Sequence, residues 1–284
     1  MNTRNTLLLG AVAYDPKVVT IWEGFRTWFA DKGLDFDFIL YSNYEEQVRG
    51  HFAGHYDVAW NSPLAWLQAD RIAKAKGRSA QAIAMRDTDC DLTSVFVARA
   101  DSPIQSVQDL AGKTVAVGAK DSPQATLIPL EHLAKAGLVA GKDFEVVYFD
   151  VLVGKHGDHI GGERDAVIAL LEKKVDVACI IDGNHLGFTK EGTLPAGSTR
   201  IVGQTAPYDH CNFTILDDAP TELIGRFREL LLSMSYDDPQ VRPLLDLEGL
   251  KQWKPGRTEL YAQLEEAIDR FGTIDAFIAE VAPA

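Results

Sequence analysis

The chain has 284 residues, of which 46% are hydrophobic and 24% are charged. These values are typical of a globular protein and exclude disordered, collagen-like and coiled-coil classes. The 41 acidic residues outnumber the 28 basic residues, which gives a formal net charge of −13. Because an acidic protein repels phosphate backbones and anionic lipids, we expect it to bind neither nucleic acid nor membrane surfaces.

The start of the sequence and its cysteines bear on the cellular compartment. The apolar run at 6–13 has the length of a buried strand and leads directly into a helical pattern, unlike a secretory signal. No apolar stretch reaches about 18 residues, so no membrane span is predicted. Three cysteines are too few for a disulfide framework. These features predict a cytoplasmic location, or a periplasmic one if a signal peptide has been removed.

Strand and helix patterns alternate along the first hundred residues. This order predicts an α/β fold with a mostly parallel sheet that is covered by helices on both faces. The predicted strands are 7–13, 36–41, 57–60, 82–85 and 93–100, and the predicted helices are 18–32, 44–53 and 62–76.

A second α/β unit is predicted to begin near residue 101. Its predicted strands are 114–117, 145–149, 177–181 and 200–203, and its helices are 107–110, 123–136, 163–174 and 185–189. A strand at 211–216 and helices at 220–235 and 257–271 follow. Crossovers near 95–102 and 204–212 predict two lobes, residues 1–97 plus 206–284 and residues 98–205, with a ligand cleft between them.

Several separated motifs resemble the phosphate/phosphonate substrate-binding proteins of ABC transporters. They are 14–16 (YDP), 42–45 (SNYE), 57–63 (DVAWNSP) and 106–118 (SVQDLAGKTVAVG). The resemblance implies a two-lobe periplasmic-binding-protein-like fold with a discontinuous first lobe, which closes on a small ligand, usually an oxyanion. Transport receptors of this family normally carry an export signal or a lipoprotein cysteine, and neither is seen here. Relatives without a signal include cytoplasmic enzymes such as thiohydantoin desulfhydrase.

The segment 120–126 (KDSPQAT) follows an apolar strand and opens a predicted helix. Free N–H groups at a helix start favour an anion, so we expect Ser122, Gln124 and Thr126 to bind the ligand. The alternative is that Ser122 only caps the helix, with Pro123 in the first turn.

In the first lobe, Asn61 and Ser62 occupy the corresponding strand-to-helix turn. They are predicted either to contact the ligand or to serve as a plain cap. Tyr14 and Asp15 end the first strand and are also predicted to face the ligand.

The glycine-rich stretch 154–165 (GKHGDHIGGERD) allows three interpretations. One is a metal site built from His156, Asp158 and His159, although this spacing matches no recognised ligand set. Another is a solvated polar loop. The preferred interpretation is a ligand clamp, in which Arg164 or Lys155 pairs with an anionic group of the ligand and Glu163 also contacts the ligand.

Cys211 lies beside His210 in the segment 208–212 (YDHCN). A thiol near an imidazole suggests a nucleophile, although a free cysteine is more often a small buried apolar residue. Because neighbours on an extended strand point to opposite faces, His210 is expected to bind the ligand and not to activate Cys211. The general acid–base group would then be His156, His159 or Asp182, the last at a strand end.

The remaining aromatic and histidine residues are predicted from helical spacing. Trp22, Phe25, Phe29, Trp66 and Phe227 are expected in the core, with Cys179. His51, His55 and His132 are expected on solvated helix surfaces.

Two functions from different classes follow. The first is a cytoplasmic hydrolase that acts on a small anionic or heterocyclic substrate, with Cys211 as nucleophile or thiol donor. The alternative is a non-catalytic binding protein for phosphate, phosphonate or a similar solute, whose partner would be an ABC permease. No cofactor and no metal are predicted for either function.

Overall fold

The computed structural model of the protein describes residues 5–157 and 160–282. Its contacts divide the chain into two units. The first unit takes the chain up to Cys90, the segment Asp209–Glu259 and the chain from Ile274. The second unit takes Asp91–Tyr208 and Leu260–Thr273.

The first unit begins as the alternating pattern predicts and then receives the returning chain. Its strands are β1 (Leu7–Val12), β2 (Phe36–Tyr41), β3 (Val58–Asn61) and β4 (Ala80–Arg86), with helices α1 (Lys17–Asp31), α2 (Tyr44–Phe52) and α3 (Pro63–Ala75).

The second unit is built from the middle of the chain. Its elements are β5 (Ser94–Arg99), β6 (Thr114–Val117), α4 (Ile128–Lys135), β7 (Glu145–Tyr148), α5 (Glu163–Leu171), β8 (Val177–Ile181), α6 (Asp182–Glu191) and β9 (Thr199–Gln204). A π-helical turn, Pro123–Leu127, runs directly into α4.

The rest of the chain completes both units. The first unit gains β10 (Asn212–Leu216), α7 (Thr221–Ser233), α8 (Arg242–Glu248), β11 (Trp253–Pro255) and α10 (Asp275–Val281). Helix α9 (Ala262–Phe271) belongs to the second unit, whereas the predicted lobe boundaries place it in the first. It packs on α4, where Arg270 pairs with the buried carboxylate of Glu131.

Both sheets are mixed, which corrects the expectation of mostly parallel pairing. In the first sheet the order is β11-β4-β10-β3-β1-β2, and β10 runs antiparallel to both β3 and β4. In the second sheet the order is β7-β6-β8-β5-β9, and β5 runs antiparallel to β8 and β9. The returning strand β10 and the entering strand β5 therefore reverse direction against their neighbours.

Aromatic side chains fill the core of the first unit, as the helical spacing predicts. Trp22, Phe25 and Phe29 of α1 are at most 2% exposed and pack with Phe213 of β10 and Phe227 of α7. The Phe213 and Phe227 rings meet edge to face with centroids 5.1 Å apart, a favoured aromatic geometry. Among the described residues, no helix combines the length and the apolar character that a membrane crossing needs.

Candidate functional site

The predicted anion seat at Ser122 is organised as a helix cap. The Ser122 Oγ atom accepts a hydrogen bond from the Ala125 amide at 3.2 Å. The Ser122 carbonyl oxygen accepts from the amides of Thr126 at 3.2 Å and Leu127 at 2.9 Å, which makes the π-helical turn. These three amides are thus bonded within the chain, so Ser122 caps the turn and the expected cluster of free amides is not present there.

Buried side-chain hydroxyls lie at and beside the π-helical turn Pro123–Leu127. Thr126 is 1% exposed, and its Oγ1 atom has no hydrogen-bond partner among the described residues. The Ser94 hydroxyl donates to the Gln124 carbonyl oxygen and lies 2.7 Å from the Tyr208 hydroxyl. The Gln124 side chain donates to the Gly157 carbonyl oxygen at 2.8 Å. A buried hydroxyl without a partner calls for an explanation, and a bound ligand oxygen would supply one.

Glu163 is a buried carboxylate at the start of α5. It is fully buried, and its Oε2 atom accepts from the Ile181 amide at 2.9 Å and from Asn184 Nδ2 at 2.8 Å. Burial raises its pKa to about 7, although the hydrogen bonds from Asn184, Ile181 and Gln124 act in the opposite direction. Glu163 is therefore held in place by the ends of β8 and α6, and it is poised to change charge near neutral pH.

Arg164, the predicted anion clamp, is committed to other partners. It pairs with Glu191, donates to Thr193 Oγ1 at 2.9 Å and stacks on the Phe188 ring at 4.6 Å. Its side chain is 40% exposed, so this is a surface ion pair. The Arg164 guanidinium is therefore engaged within the chain, and the ligand clamp stays a prediction.

The acid–base and metal-ligand candidates of the second unit are Asp182, His156, Asp158 and His159. Asp182 opens α6, and its Oδ2 atom accepts from Thr93 Oγ1 at 2.9 Å. His156 is 1% exposed and adopts a left-handed backbone with φ of 52°. His159 and Asp158 lie outside the described residues, so neither the metal set nor their catalytic role can be placed.

In the first unit, Asn61 belongs to a buried amide network. Its Nδ2 atom donates to Thr214 Oγ1 at 2.8 Å, and its Oδ1 atom accepts from Gln47 Nε2 at 2.7 Å. Thr214 in turn donates to Asn212 Oδ1 at 2.7 Å. These bonds join α2, β3 and β10, so Asn61 holds the sheet together.

The remaining first-unit candidates lie in local turns. The Ser62 Oγ atom caps α3 by accepting from the Ala65 amide at 3.1 Å. Asp15 is exposed, and its Oδ1 atom accepts from the Lys17 amide at 2.8 Å. Tyr14 is partly buried against the core, with Lys17 Nζ 5.8 Å from its ring centroid. Ser62 therefore serves as the cap of α3.

Cys211 lies in a buried polar cluster that the sequence analysis did not predict. Its Sγ atom is 3.1 Å from Nδ1 of His210, and the same nitrogen is 3.4 Å from Oδ1 of Asp89. All three residues are buried, with exposed fractions of 1%, 5% and 1% for Cys211, His210 and Asp89. The expectation that His210 points away from Cys211 is wrong, because β10 begins only at Asn212.

Arg86 binds this cluster from the end of β4. Its Nε and Nη2 atoms donate to the two Asp89 oxygens at 2.5 and 2.9 Å, and Nη1 lies 3.2 Å from Glu248 Oε1. Burial alone would lower the pKa of Arg86, but Asp89, Glu248 and Cys211 raise it well above its usual value. Burial alone would raise the pKa of Asp89, yet Arg86 and His210 hold it far below the ordinary range. Arg86 and Asp89 therefore form a buried ion pair.

A second buried histidine corrects the expectation of a solvated His51. It is 4% exposed, stacks on Tyr56 with centroids 4.8 Å apart, and lines a cavity of about 290 Å³ with Asp57 and Asp218. Burial lowers its pKa to about 4, against smaller opposing effects of the Asp57 backbone and Asp218. His51 is thus neutral near pH 7, which suits its apolar stacking.

A protein-family profile matches most of this chain. The profile of the periplasmic substrate-binding proteins of ABC phosphonate transporters matches residues 11–261. The chain belongs to this family.

Solved structures with the same fold agree with the assignment. PhnD1 of Prochlorococcus marinus in complex with methylphosphonate aligns with a TM-score of 0.70 and 18% identity, over 95% of this chain and 99% of its own. A phosphonate-transporter binding protein from Pseudomonas aeruginosa gives 0.62 and 15%, over 98% and 97% of the two chains. The aliphatic sulphonate binding protein SsuA of Escherichia coli gives 0.61 and 16%, over 97% and 94%. At these identities the likeness shows the fold alone.

Family membership confirms the predicted fold class, a two-lobe periplasmic-binding-protein-like α/β fold with a discontinuous first lobe. It also confirms that the resemblance in the four sequence motifs was a family signal. Neither the hydrolase hypothesis nor the cytoplasmic location gains support from these similarities, since the family is one of periplasmic binding proteins.

Proposed function

We propose that this protein is the non-catalytic substrate-binding component of an ABC transporter and that it binds a small oxyanion of the phosphonate or sulfonate type in the periplasm. The observation that carries the proposal is the family match over residues 11–261. Two of the similar structures are described as holding methylphosphonate or as binding aliphatic sulphonates, which suggests the ligand class.

The charge of the protein requires local donors for such a ligand. A net charge of −13 disfavours an anion at long range, so the anion must be held by a few well-placed N–H and O–H groups. The Thr126 hydroxyl is a neutral donor in the second unit, whereas the Ser94 and Tyr208 hydroxyls bond to the Gln124 carbonyl oxygen and to each other. Thr126 is the strongest candidate, because its buried Oγ1 atom lacks a partner that a ligand oxygen would provide.

Glu163 adds a pH dependence to this proposal. It acts electrostatically on the Tyr208 hydroxyl, so its charge is felt at the hydroxyl group described above. When it is deprotonated above pH 7, its negative charge opposes an anionic ligand; when it is protonated, that repulsion disappears. We expect the affinity for the anion to fall as the pH rises through 7.

The hydrolase hypothesis is not proposed. Its nucleophile, Cys211, is 1% exposed and packs within the hydrophobic core of the first unit. Within the first unit, the neighbours of the thiol are His210 and Asp89.

Isothermal titration calorimetry with methylphosphonate and methanesulfonate tests the proposal. The wild-type protein should bind at least one of these anions with one site per chain. Thr126→Val removes one hydroxyl donor at nearly constant volume and should weaken binding by about 10-fold or more, as expected for a hydrogen bond to a charged group. Thr189→Val is the matched control, because the Thr189 hydroxyl donates within its own helix, to the His185 carbonyl oxygen at 2.8 Å.

Two outcomes would contradict the proposal. One is the absence of binding to methylphosphonate, methanesulfonate, phosphate and sulfate by a folded wild-type protein. The other is turnover of a bound compound that disappears in Cys211→Ser while binding remains, which would favour the hydrolase.

A further inference from the structure

Asp89, His210 and Cys211 bring three different ligating atoms together in the interior of the first unit. The Cys211 Sγ atom, a His210 ring nitrogen and an Asp89 carboxylate oxygen all lie within 4.8 Å of one another. The three side chains come from two separate segments, residue 89 and residues 210–211, and all are buried. The transport proposal makes no use of them.

We propose that these three residues bind a thiophilic divalent transition metal ion, with Zn²⁺ as the best fit. Thiolate, imidazole and carboxylate are the three side-chain donors that Zn²⁺ takes in proteins. The thiolate selects against Mg²⁺ and Ca²⁺, which prefer oxygen ligands only. Zn²⁺ also tolerates the mixed set, since its filled d shell imposes no geometry.

The spacing of the donor atoms suits a single ion. Zinc lies about 2.0–2.3 Å from nitrogen, oxygen and sulfur ligands, so tetrahedral ligand atoms stand roughly 3–4 Å apart. The observed separations are 3.1 Å between Sγ and Nδ1 and 3.4 Å between Nδ1 and Oδ1. Both separations fall within the range expected for two ligand atoms of one ion.

The residues around the three ligands hold them in position. Arg86 donates to both Asp89 oxygens, and each carboxylate oxygen keeps a further lone pair for a metal. The His210 amide donates to the Asp89 carbonyl oxygen at 2.8 Å, which fixes the two segments to each other. Such outer-shell contacts to a ligating carboxylate are a regular part of metal sites.

The charges of the cluster also balance. Arg86 contributes one positive charge, and Asp89 and Glu248 contribute two negative charges at the distances of ion pairs. A ligating cysteine is a thiolate and adds a third negative charge. A divalent cation then brings the net charge of the buried cluster to zero. The attraction between the cation and the three negative groups offsets the repulsion between the cation and the Arg86 guanidinium.

Metal binding would stabilise the first unit at the points where the chain leaves and re-enters it. The first unit is interrupted after Cys90 and resumes at Asp209, and the three ligands lie next to these two points. An ion that binds only the folded state raises stability in proportion to the logarithm of its concentration. We therefore expect Zn²⁺ to raise the melting temperature.

Cobalt substitution and zinc titration of the full chain, freed of metal by a chelator, test the proposal. Co²⁺ should give a sulfur-to-metal charge-transfer band with one equivalent bound. Zn²⁺, titrated against a chromophoric chelator, should bind one equivalent and should displace the Co²⁺. Cys211→Ser should abolish the band and weaken Zn²⁺ binding by about 100-fold or more, because the thiolate is the dominant ligand. Asp89→Asn should weaken binding while keeping the band.

Cys90→Ser is the matched control, since Cys90 is a neighbouring thiol whose Sγ atom donates to the Arg86 carbonyl oxygen at 3.4 Å and is not among the three proposed ligands. It should leave both the band and the affinity unchanged. Absence of the band in the wild-type protein overturns the proposal, whether or not the variants fold. Loss of the band in Cys90→Ser, with the band retained in Cys211→Ser, overturns the ligand set.

Discussion

The Nδ1 atom of His210 lies 3.1 Å from the Sγ atom of Cys211, although the two residues are neighbours in the chain. Alternation of side chains holds on an extended strand, and β10 begins one residue later, at Asn212. Both side chains can therefore turn to the same side and reach Asp89. A one-residue difference in the start of a strand thus decides whether this thiol has an imidazole neighbour.

Arg86 is expected to be the most sensitive single residue of the first unit. Arg86→Met removes the guanidinium that pairs with the two buried carboxylates of Asp89 and Glu248. Breaking a buried pair in this way costs about 3–5 kcal/mol of unfolding free energy. Denaturant unfolding of the wild-type and variant proteins at pH 7 measures the loss.

Arg226→Met provides the comparison for Arg86. Arg226 pairs with Glu229 at 3.1 Å, but the two side chains are 44% and 70% exposed. An exposed pair contributes about 0–1 kcal/mol. If Arg86→Met and Arg226→Met lost the same unfolding free energy, burial would not explain the contribution of the Arg86 ion pairs to stability.

Glu163 should make the unfolding free energy depend on pH. Its folded pKa of about 7 is raised above the ordinary value of 4.5, so the folded state binds a proton that the unfolded state has released. Stability from this group is therefore present below pH 4.5 and is lost as the pH rises to 7, by on the order of 3 kcal/mol. Glu163→Gln keeps an oxygen for Ile181 and Asn184 but cannot ionise.

The comparison of Glu163→Gln with the wild-type protein at pH 5 and pH 8 isolates this effect. The variant should gain stability relative to the wild type as the pH rises, whereas Glu172→Gln, an exposed substitution on the same unit, should not. A wild-type-to-variant difference that stays constant between the two pH values would show that Glu163 titrates normally.

Gly162 is expected to resist substitution for two separate reasons. It has a φ of 81°, and a Cβ atom there would lie 2.1 Å from the Phe149 carbonyl oxygen. Gly162→Ala should therefore cost more than the roughly 1 kcal/mol of left-handed backbone strain, because a backbone oxygen must also move. Gly192→Ala shares the positive φ of 89° without any atom within 4 Å and measures the strain alone. Thermal unfolding of both variants should rank Gly162→Ala as the less stable.

Arg164 should contribute little to ligand affinity. Its guanidinium already pairs with Glu191 and stacks on Phe188, so it is not available as the main anchor of an anion. Arg164→Ala should change the dissociation constant for methylphosphonate less than about 2-fold, the scale of an exposed charge pair. A loss as large as that of Thr126→Val, in the same calorimetric titration, would restore the clamp interpretation.

Local patterns predicted the regular elements well. Strands β6 and β8 have the predicted bounds, because each is a short, mostly apolar run. Helix α8, strand β11 and helix α10 were missed. Strand β11 ends in Pro255, which argues against a strand in sequence but is tolerated because β11 lies at the edge of the sheet.

The candidate sites were harder to predict, because they depend on contacts between distant segments. The partners of Cys211 include Asp89 and, through it, Arg86, which lie more than a hundred residues earlier in the sequence. Ser94 and Tyr208 meet for the same reason, since the chain enters and leaves the second unit there. Only Ser122 and Ser62 were within reach of local rules, and both are helix caps.

The position of β10 has a consequence for the order of folding. Strands β3 and β4 are joined in the described sheet by β10, with Ala59 opposite Thr214 and Ala80 opposite Leu216. The edges of β3 and β4 therefore stay open until the segment after residue 211 has paired with them. Open strand edges invite pairing with other chains, so chaperone binding and protein concentration during this interval should govern the yield of correctly folded protein.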